Sequence, residues 1–252
     1  MKPGIVEFIC TPEGETMKYY HEGENEFLQT QTGIKYPIYR DIVCFPDNIS
    51  LTGNNKIYQK MYDRFSAFYD FATKIYARFK SGNERIRLMQ YLSLLDIKNG
   101  DKVIEISIGT GRNIKYLNPG AEFYGIDISF GMLKQCQNKM KRLKRDITLI
   151  QAEAENLPIK NGSFDVVFSA GGFNFFNDPG KAVHEMLRIA KSGTKILISD
   201  ETEKFRLKHT KNDFYKANEI KNPVTYLPDS CRNIEYKEIC DGDLYVLTFN
   251  KP

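Results

Sequence analysis

The chain has 252 residues, 41% of them hydrophobic, enough for one α/β domain with a small appendage and too apolar for a disordered protein. A net charge of +4 is too mild to mark a nucleic-acid binder by itself, and no apolar run nears the roughly 18–20 residues of a membrane span. The five cysteines (Cys10, Cys44, Cys136, Cys231 and Cys240) are odd in number and lack Cys-x-x-Cys spacing, which argues against a disulfide framework; without a secretory head at the start, a cytoplasmic protein is expected.

Residues 1–48 read as short strands between turn residues: Thr11-Pro12-Glu13-Gly14, Glu22-Gly23-Glu24-Asn25, Thr32-Gly33 and Phe45-Pro46-Asp47-Asn48. They predict a small β-rich module. Residues 49–56, with Gly53-Asn54-Asn55, read as a linker, and 57–252 as the main domain. Helices are expected over 57–80, where Ile57, Met61, Phe65, Phe68 and Phe71 recur at near-helical spacing, and over 84–95. Beyond Asp101, apolar runs predict strands at 102–108, 122–128, 146–151, 164–169 and 194–199. Helices are expected at 112–117, 130–144 and 179–191, with a short turn at 154–157. Such alternation implies a parallel sheet covered on both faces. Strands at 234–239 and 244–250 close the chain, joined by an Asp241-Gly242 hairpin signal.

The informative stretch is Val103-Ile104-Glu105-Ile106-Ser107-Ile108-Gly109-Thr110-Gly111-Arg112-Asn113. An apolar strand runs into a Gly-x-Gly turn and then a helix. In an open α/β sheet, ligands bind at such turns, at the carboxyl ends of the strands. Glycine lets the backbone approach a ligand with no Cβ in the way. Asp127 ends the next strand, and its carboxylate suits a ribose diol. A dinucleotide fingerprint would need a third glycine where Ile114 stands, and no phosphate-binding Gly-Lys-Ser/Thr occurs.

Residues 103–113 resemble motif I of class I S-adenosylmethionine-dependent methyltransferases, and 122–128 resemble motif II. The resemblance extends through Gln151-Ala152-Glu153-Ala154-Glu155-Asn156-Leu157-Pro158, Ser163-Phe164-Asp165-Val166-Val167 and the helix and turn from His184 to Gly193. It covers about residues 57–200 and is nearest to the ubiquinone/menaquinone-biosynthesis-like methyltransferases. It implies an α/β, Rossmann-like seven-stranded sheet, mostly parallel with an antiparallel last strand, preceded here by the small β-ribbon module.

The resemblance also implies roles. Glu105, with the backbone near Ser107 and Gly109, would hold the methionine end of S-adenosylmethionine, and Gly111 would permit close packing. Asp127 would hold the ribose, Ile128 and Met132 flank the adenine, and Glu153 and Ala154 read its edge. Ser169 and Ala170 would line the floor beneath the methyl. Two departures stand out: Ser107 where the family usually has glycine, and Glu153 where Asp is commoner.

On the acceptor side, Phe173, Phe175 and Phe176 are read either as pocket or as core, with Asn174 placed to orient a polar group. In look-alikes the region of Tyr62 and Tyr69 covers the cofactor; packing on a helix is the alternative. His21, His184 and His209 do not cluster at metal spacing, so no metal is expected. Residues 33–43 resemble the end of a zinc-ribbon module, but the Cys-x-x-Cys pairs are missing, which implies a metal-free relic.

The function expected is methyl transfer to a small, apolar or aromatic acceptor, with S-adenosylhomocysteine as product. The alternatives are an RNA methyltransferase, suggested by the basic run Lys139, Lys141, Arg142, Lys144 and Arg145, and a non-catalytic cofactor-binding protein. Nucleic acid is not the expected partner, since a solvated helix end explains the basic run more simply. The oligomeric state stays open, a homodimer included.

Overall fold

The computed structural model describes residues 5–11, 13–45, 59, 63, 84–209 and 220–252. Five apolar, β-branched segments form parallel strands buried on both faces: β5 (Lys102–Ile106), β6 (Glu122–Asp127), β7 (Ile147–Gln151), β8 (Val166–Ala170) and β9 (Lys195–Glu201). β11 (Leu244–Asn250) pairs antiparallel with β9, and β10 (Arg232–Ile239) antiparallel with β11. The order β7-β6-β5-β8-β9-β11-β10 is the seven-stranded sheet expected from the sequence. The chain winds outward from β5 in both directions, so the topological switch point lies between β5 and β8.

Four further strands extend this sheet: β1 (Met17–Glu22), β2 (Asn25–Thr30), β3 (Lys35–Tyr39) and β4 (Ile42–Cys44). They run antiparallel among themselves, and β4 then pairs parallel with β7, Ile42 opposite Leu149 and Val43 opposite Ile150. The strands of the expected amino-terminal module therefore share one hydrogen-bonded ladder with the main domain. Ahead of them, α1 (Ile5–Phe8) places Phe8 edge-on against Tyr124 and Phe164, with centroids 4.8 and 5.6 Å away. Edge-to-face pairs of this kind add about 0.5–1.5 kcal/mol beyond their buried area.

The helices follow their capping chemistry. α3 (Phe130–Leu143) starts where the Ser129 hydroxyl accepts the Met132 amide, and stops at Lys144 in a left-handed conformation. α4 (Pro179–Ile189) is capped by Asp178, with Pro179 in the first turn. α2 (Glu84–Leu92) tightens into a 3-10 turn at Ser93–Leu95 and ends at left-handed Asp96. α5 (Glu203–His209) follows β9 directly.

The helix expected at 112–117 is instead a turn and one 3-10 turn, Ile114–Tyr116. Left-handed Gly109 and Gly111 stand before it and Pro119 after it, leaving no room for an α-helical register. The linker at 49–56 and the helix at 57–80 fall outside the described residues, apart from Gln59 and Asp63.

Candidate functional site

The carboxyl ends of β5 to β9 open into one cavity of about 630 Å³, within the ordinary range for small-molecule sites. β5 delivers Ile106 to its wall, and the chain then turns through Ser107 (φ +61), Gly109 (φ +55) and Gly111 (φ +69). Gly109 faces open space: a Cβ there would meet no atom within 4 Å. Its amide donates to Asp127 Oδ2 at 2.8 Å, while Asp127 Oδ1 accepts the Ser129 amide at 2.9 Å. The glycine corner and the strand-end carboxylate thus touch, and both line the cavity.

Gly111 points the other way. A Cβ on it would lie 2.6 Å from Cys136 Sγ, so its role is to let the turn settle on α3, and it does not line the cavity. Ser107 does line it, in a left-handed conformation that costs serine about 1–2 kcal/mol. Its hydroxyl sits so close to Gly172 that a Cβ there would be 2.1 Å away.

Glu105 lies beneath this corner, buried and outside the cavity lining. Its Oε1 accepts from Asn113 Nδ2 at 2.5 Å, and the Tyr91 hydroxyl holds Asn113 Oδ1 at 2.8 Å. Its Oε2 is buried with no hydrogen-bond partner among the described residues. Burial pushes its carboxyl up to about 8; the Asn113 bond opposes this and the Asp127 charge adds to it. Burial likewise lifts Asp127 to about 6, against the amides of Ser129 and Gly109 and with the Asp63 charge.

Ile128, Met132, Glu153 and Ala154 line the same end of the cavity. Glu155 joins them, and its Oε1 accepts the Asn177 amide at 2.8 Å, tying this wall to the loop after β8. Asp63 Oδ1 accepts both the Ser129 hydroxyl at 2.5 Å and the Gly131 amide at 2.9 Å, and Gln59 donates to the Ile128 carbonyl at 3.3 Å. Tyr62 and Tyr69 lie outside the described residues.

After β8, Ala170, Gly171, Gly172, Phe175 and Phe176 line the cavity. Ser169 does not: it is fully buried, and its hydroxyl has no partner among the described residues. Phe173 is core, packed on Phe176 and Tyr226. Asn174 is spent on structure, outside the lining. Its Nδ2 donates to the Glu201 carbonyl at 2.8 Å and its Oδ1 accepts the Tyr245 hydroxyl at 3.1 Å.

Residues 104–198, which run from β5 into β9, match the sequence profile of a family described as Methyltransferase domain. This stretch is a methyltransferase domain, in a fold shared with class I methyltransferases. The chain is 32% identical over 141 residues to a demethylmenaquinone methyltransferase of Paenarthrobacter aurescens, covering 56% of this chain and 53% of that one. It is 30% identical over 113 residues to the ubiquinone/menaquinone biosynthesis C-methyltransferase of Pseudomonas paraeruginosa, covering 42% and 44%. The chain thus spans about half the length of these relatives or less. Among solved structures, a SAM-dependent methyltransferase of Thermotoga maritima has a TM-score of 0.58 at 21% identity, covering 77% of this chain and 99% of that one. The [4+2]-cyclase SpnF reaches 0.62 at 11%, covering 80% and 97%. Fold likeness to a cyclase shows that this architecture alone does not dictate the reaction.

The methyltransferase domain also contributes residues that the sequence reading passed over. Ser199, Asp200 and Glu201 at the end of β9 line the cavity, with Arg87 and Tyr91 from α2, Phe205 from α5, and Asn113. Strand-end position was the available signal for Asp200 and Glu201. Arg87 has no local signature and arrives through packing of α2. The basic run at 139–145 is partly engaged: Lys139 donates to Thr110 Oγ1 at 2.9 Å, and Arg145 to the Leu117 carbonyl at 2.9 Å.

Proposed function

We propose that the domain binds S-adenosylmethionine across the Gly109–Asp127 corner and methylates a small apolar or aromatic acceptor, leaving S-adenosylhomocysteine. The 2.8 Å contact between the Gly109 amide and Asp127, at the wall of a cavity of suitable size, carries the reading. The residues present fit the ligand. Asp127 uses one backbone amide per oxygen and keeps lone pairs for a ribose diol. Open space at Gly109 admits the backbone's close approach. Ile128, Met132, Glu153 and Ala154 are the adenine-side wall.

S-adenosylmethionine supplies a methyl already activated on a sulfonium sulfur, which recovers the C–S electron pair on transfer. The protein's task is to align the acceptor and exclude water, and alignment can lower such a barrier by roughly 7–11 kcal/mol. Phe175, Phe176 and Phe205 supply the apolar acceptor wall. The quinone-biosynthesis names of the relatives favour an aromatic acceptor over RNA, as does the engagement of Lys139 and Arg145 by the protein's own oxygens.

The test is transfer of a labelled methyl from S-adenosylmethionine to a panel of reduced naphthoquinones, phenols and bulk RNA. Label in a small aromatic product is expected. Label confined to RNA, or to no acceptor at all, would overturn the proposal.

A further inference from the structure

The cavity has two unlike halves. One, at β6 and β7, is the nucleoside side. The other lies at the ends of β8 and β9 and holds Phe175, Phe176 and Phe205 together with Asp200, Glu201 and Arg87.

The two carboxylates there are differently used. Asp200 is tied to the backbone: Oδ2 accepts the Asn174 amide at 2.9 Å and Oδ1 the Glu201 amide at 2.8 Å. It fixes the loop after β8 against β9. Glu201 has its backbone pinned, its carbonyl taking Asn174 Nδ2. Its carboxylate makes no hydrogen bond among the described residues, yet it lines the cavity. The charged groups that face it are Asp200 on its own strand, Arg87 on α2 and Asp243 before β11. Burial pushes it up to about 7, Asp200 and Asp243 add to the rise, and Arg87 opposes it. A carboxylate of that strength near neutral pH suits proton abstraction.

We infer that Glu201 takes the proton from an ionisable hydroxyl on an aromatic acceptor, with Arg87 holding the oxyanion that results. The inference rests on the methyl-transfer reading above and names the acceptor class for that site. The acceptor O–H bond breaks, its electron pair stays on oxygen, and the proton bonds to a Glu201 carboxylate oxygen. The oxyanion is then the nucleophile; where the ring carbon conjugated with it attacks instead, that carbon's C–H proton leaves to water and its electron pair restores the ring. The proton on Glu201 leaves to water once product has departed. Asp200 is held by two backbone amides, whereas the Glu201 carboxylate accepts none among the described residues, so Glu201 is the freer proton acceptor.

The probe is 4-nitrophenol, coloured only as phenolate, added to the full chain loaded with S-adenosylhomocysteine. Beside an ionised Glu201 the bound probe keeps a shared proton, whereas a glutamine removes that negative charge while Arg87, Asp200 and Asp243 stay in place. The colour change of the bound probe should therefore fall by about one pH unit in Glu201→Gln, while Glu201→Asp stays near wild type. Equal midpoints in wild type and Glu201→Gln, or no saturable binding of the probe to wild type, would overturn the inference. Calorimetry separates the two readings. Glu201→Gln should keep its affinity for S-adenosylhomocysteine within about twofold. Wild-type protein that fails to bind S-adenosylhomocysteine would sink the methyl-transfer reading itself, and this inference with it.

Discussion

At the scale of single residues, Glu105 and Gly111 show how one segment serves two opposed demands. Glu105 is an acid forced into an apolar setting, with only one oxygen bonded. Its folded carboxyl titrates near 8, above the ordinary value of 4.5. The sign follows from linkage. The folded state holds this proton more tightly, so the associated stability is whole below the unfolded value and drains away as pH rises towards 8. Glu105→Gln, which cannot ionise, should match wild type near pH 5 and exceed it near pH 8, at about 1.4 kcal/mol per unit of displacement. Urea unfolding at the two pH values checks this. An identical pH slope in both proteins would contradict it. Gly111→Ala should lose about 1–3 kcal/mol, from a left-handed φ and a Cβ placed 2.6 Å from Cys136 Sγ. Adding Cys136→Ala should restore part of that loss, measured by the same unfolding.

At the scale of elements, the central strands were legible because their signal is local: β-branched runs of strand length, separated by amphipathic helices and by glycine corners. The pairing of β4 with β7 was not, because Ile42 and Leu149 are distant in sequence and nothing in either segment names its partner. Residues 1–48 therefore read as a module apart, while the ladder runs straight through their strands. Ile42 is fully buried in the same apolar cluster as Leu149 and Phe123 of the main sheet. A continuous ladder predicts a single calorimetric unfolding transition. Ile42→Ala should move the whole transition down, by about 2–5 kcal/mol. Two separate transitions, with only one of them shifted, would show that the first strands melt as an independent body.

For the molecule as a whole, the half of the cavity at β5 and β6 was readable and the half at β9 was not. Glu105, Gly109 and Asp127 sit in two neighbouring strand-turn segments with a recognisable pattern. The other half is assembled from β9, α2 and α5, and the loop after β8 is fixed by Tyr245, which bonds Asn174 from 71 positions away. Asn174 was accordingly read as a substrate contact, when tertiary pairing had already claimed both ends of its amide. The measurement that bears most directly on the whole account is calorimetric titration of the intact chain with S-adenosylhomocysteine, for wild type and Asp127→Ala side by side. One ligand per chain is predicted for wild type, with about a 100-fold loss in the variant, as expected for removing charge-assisted bonds to a diol. Saturable binding that Asp127→Ala leaves unchanged, or no binding to wild type, would contradict the account.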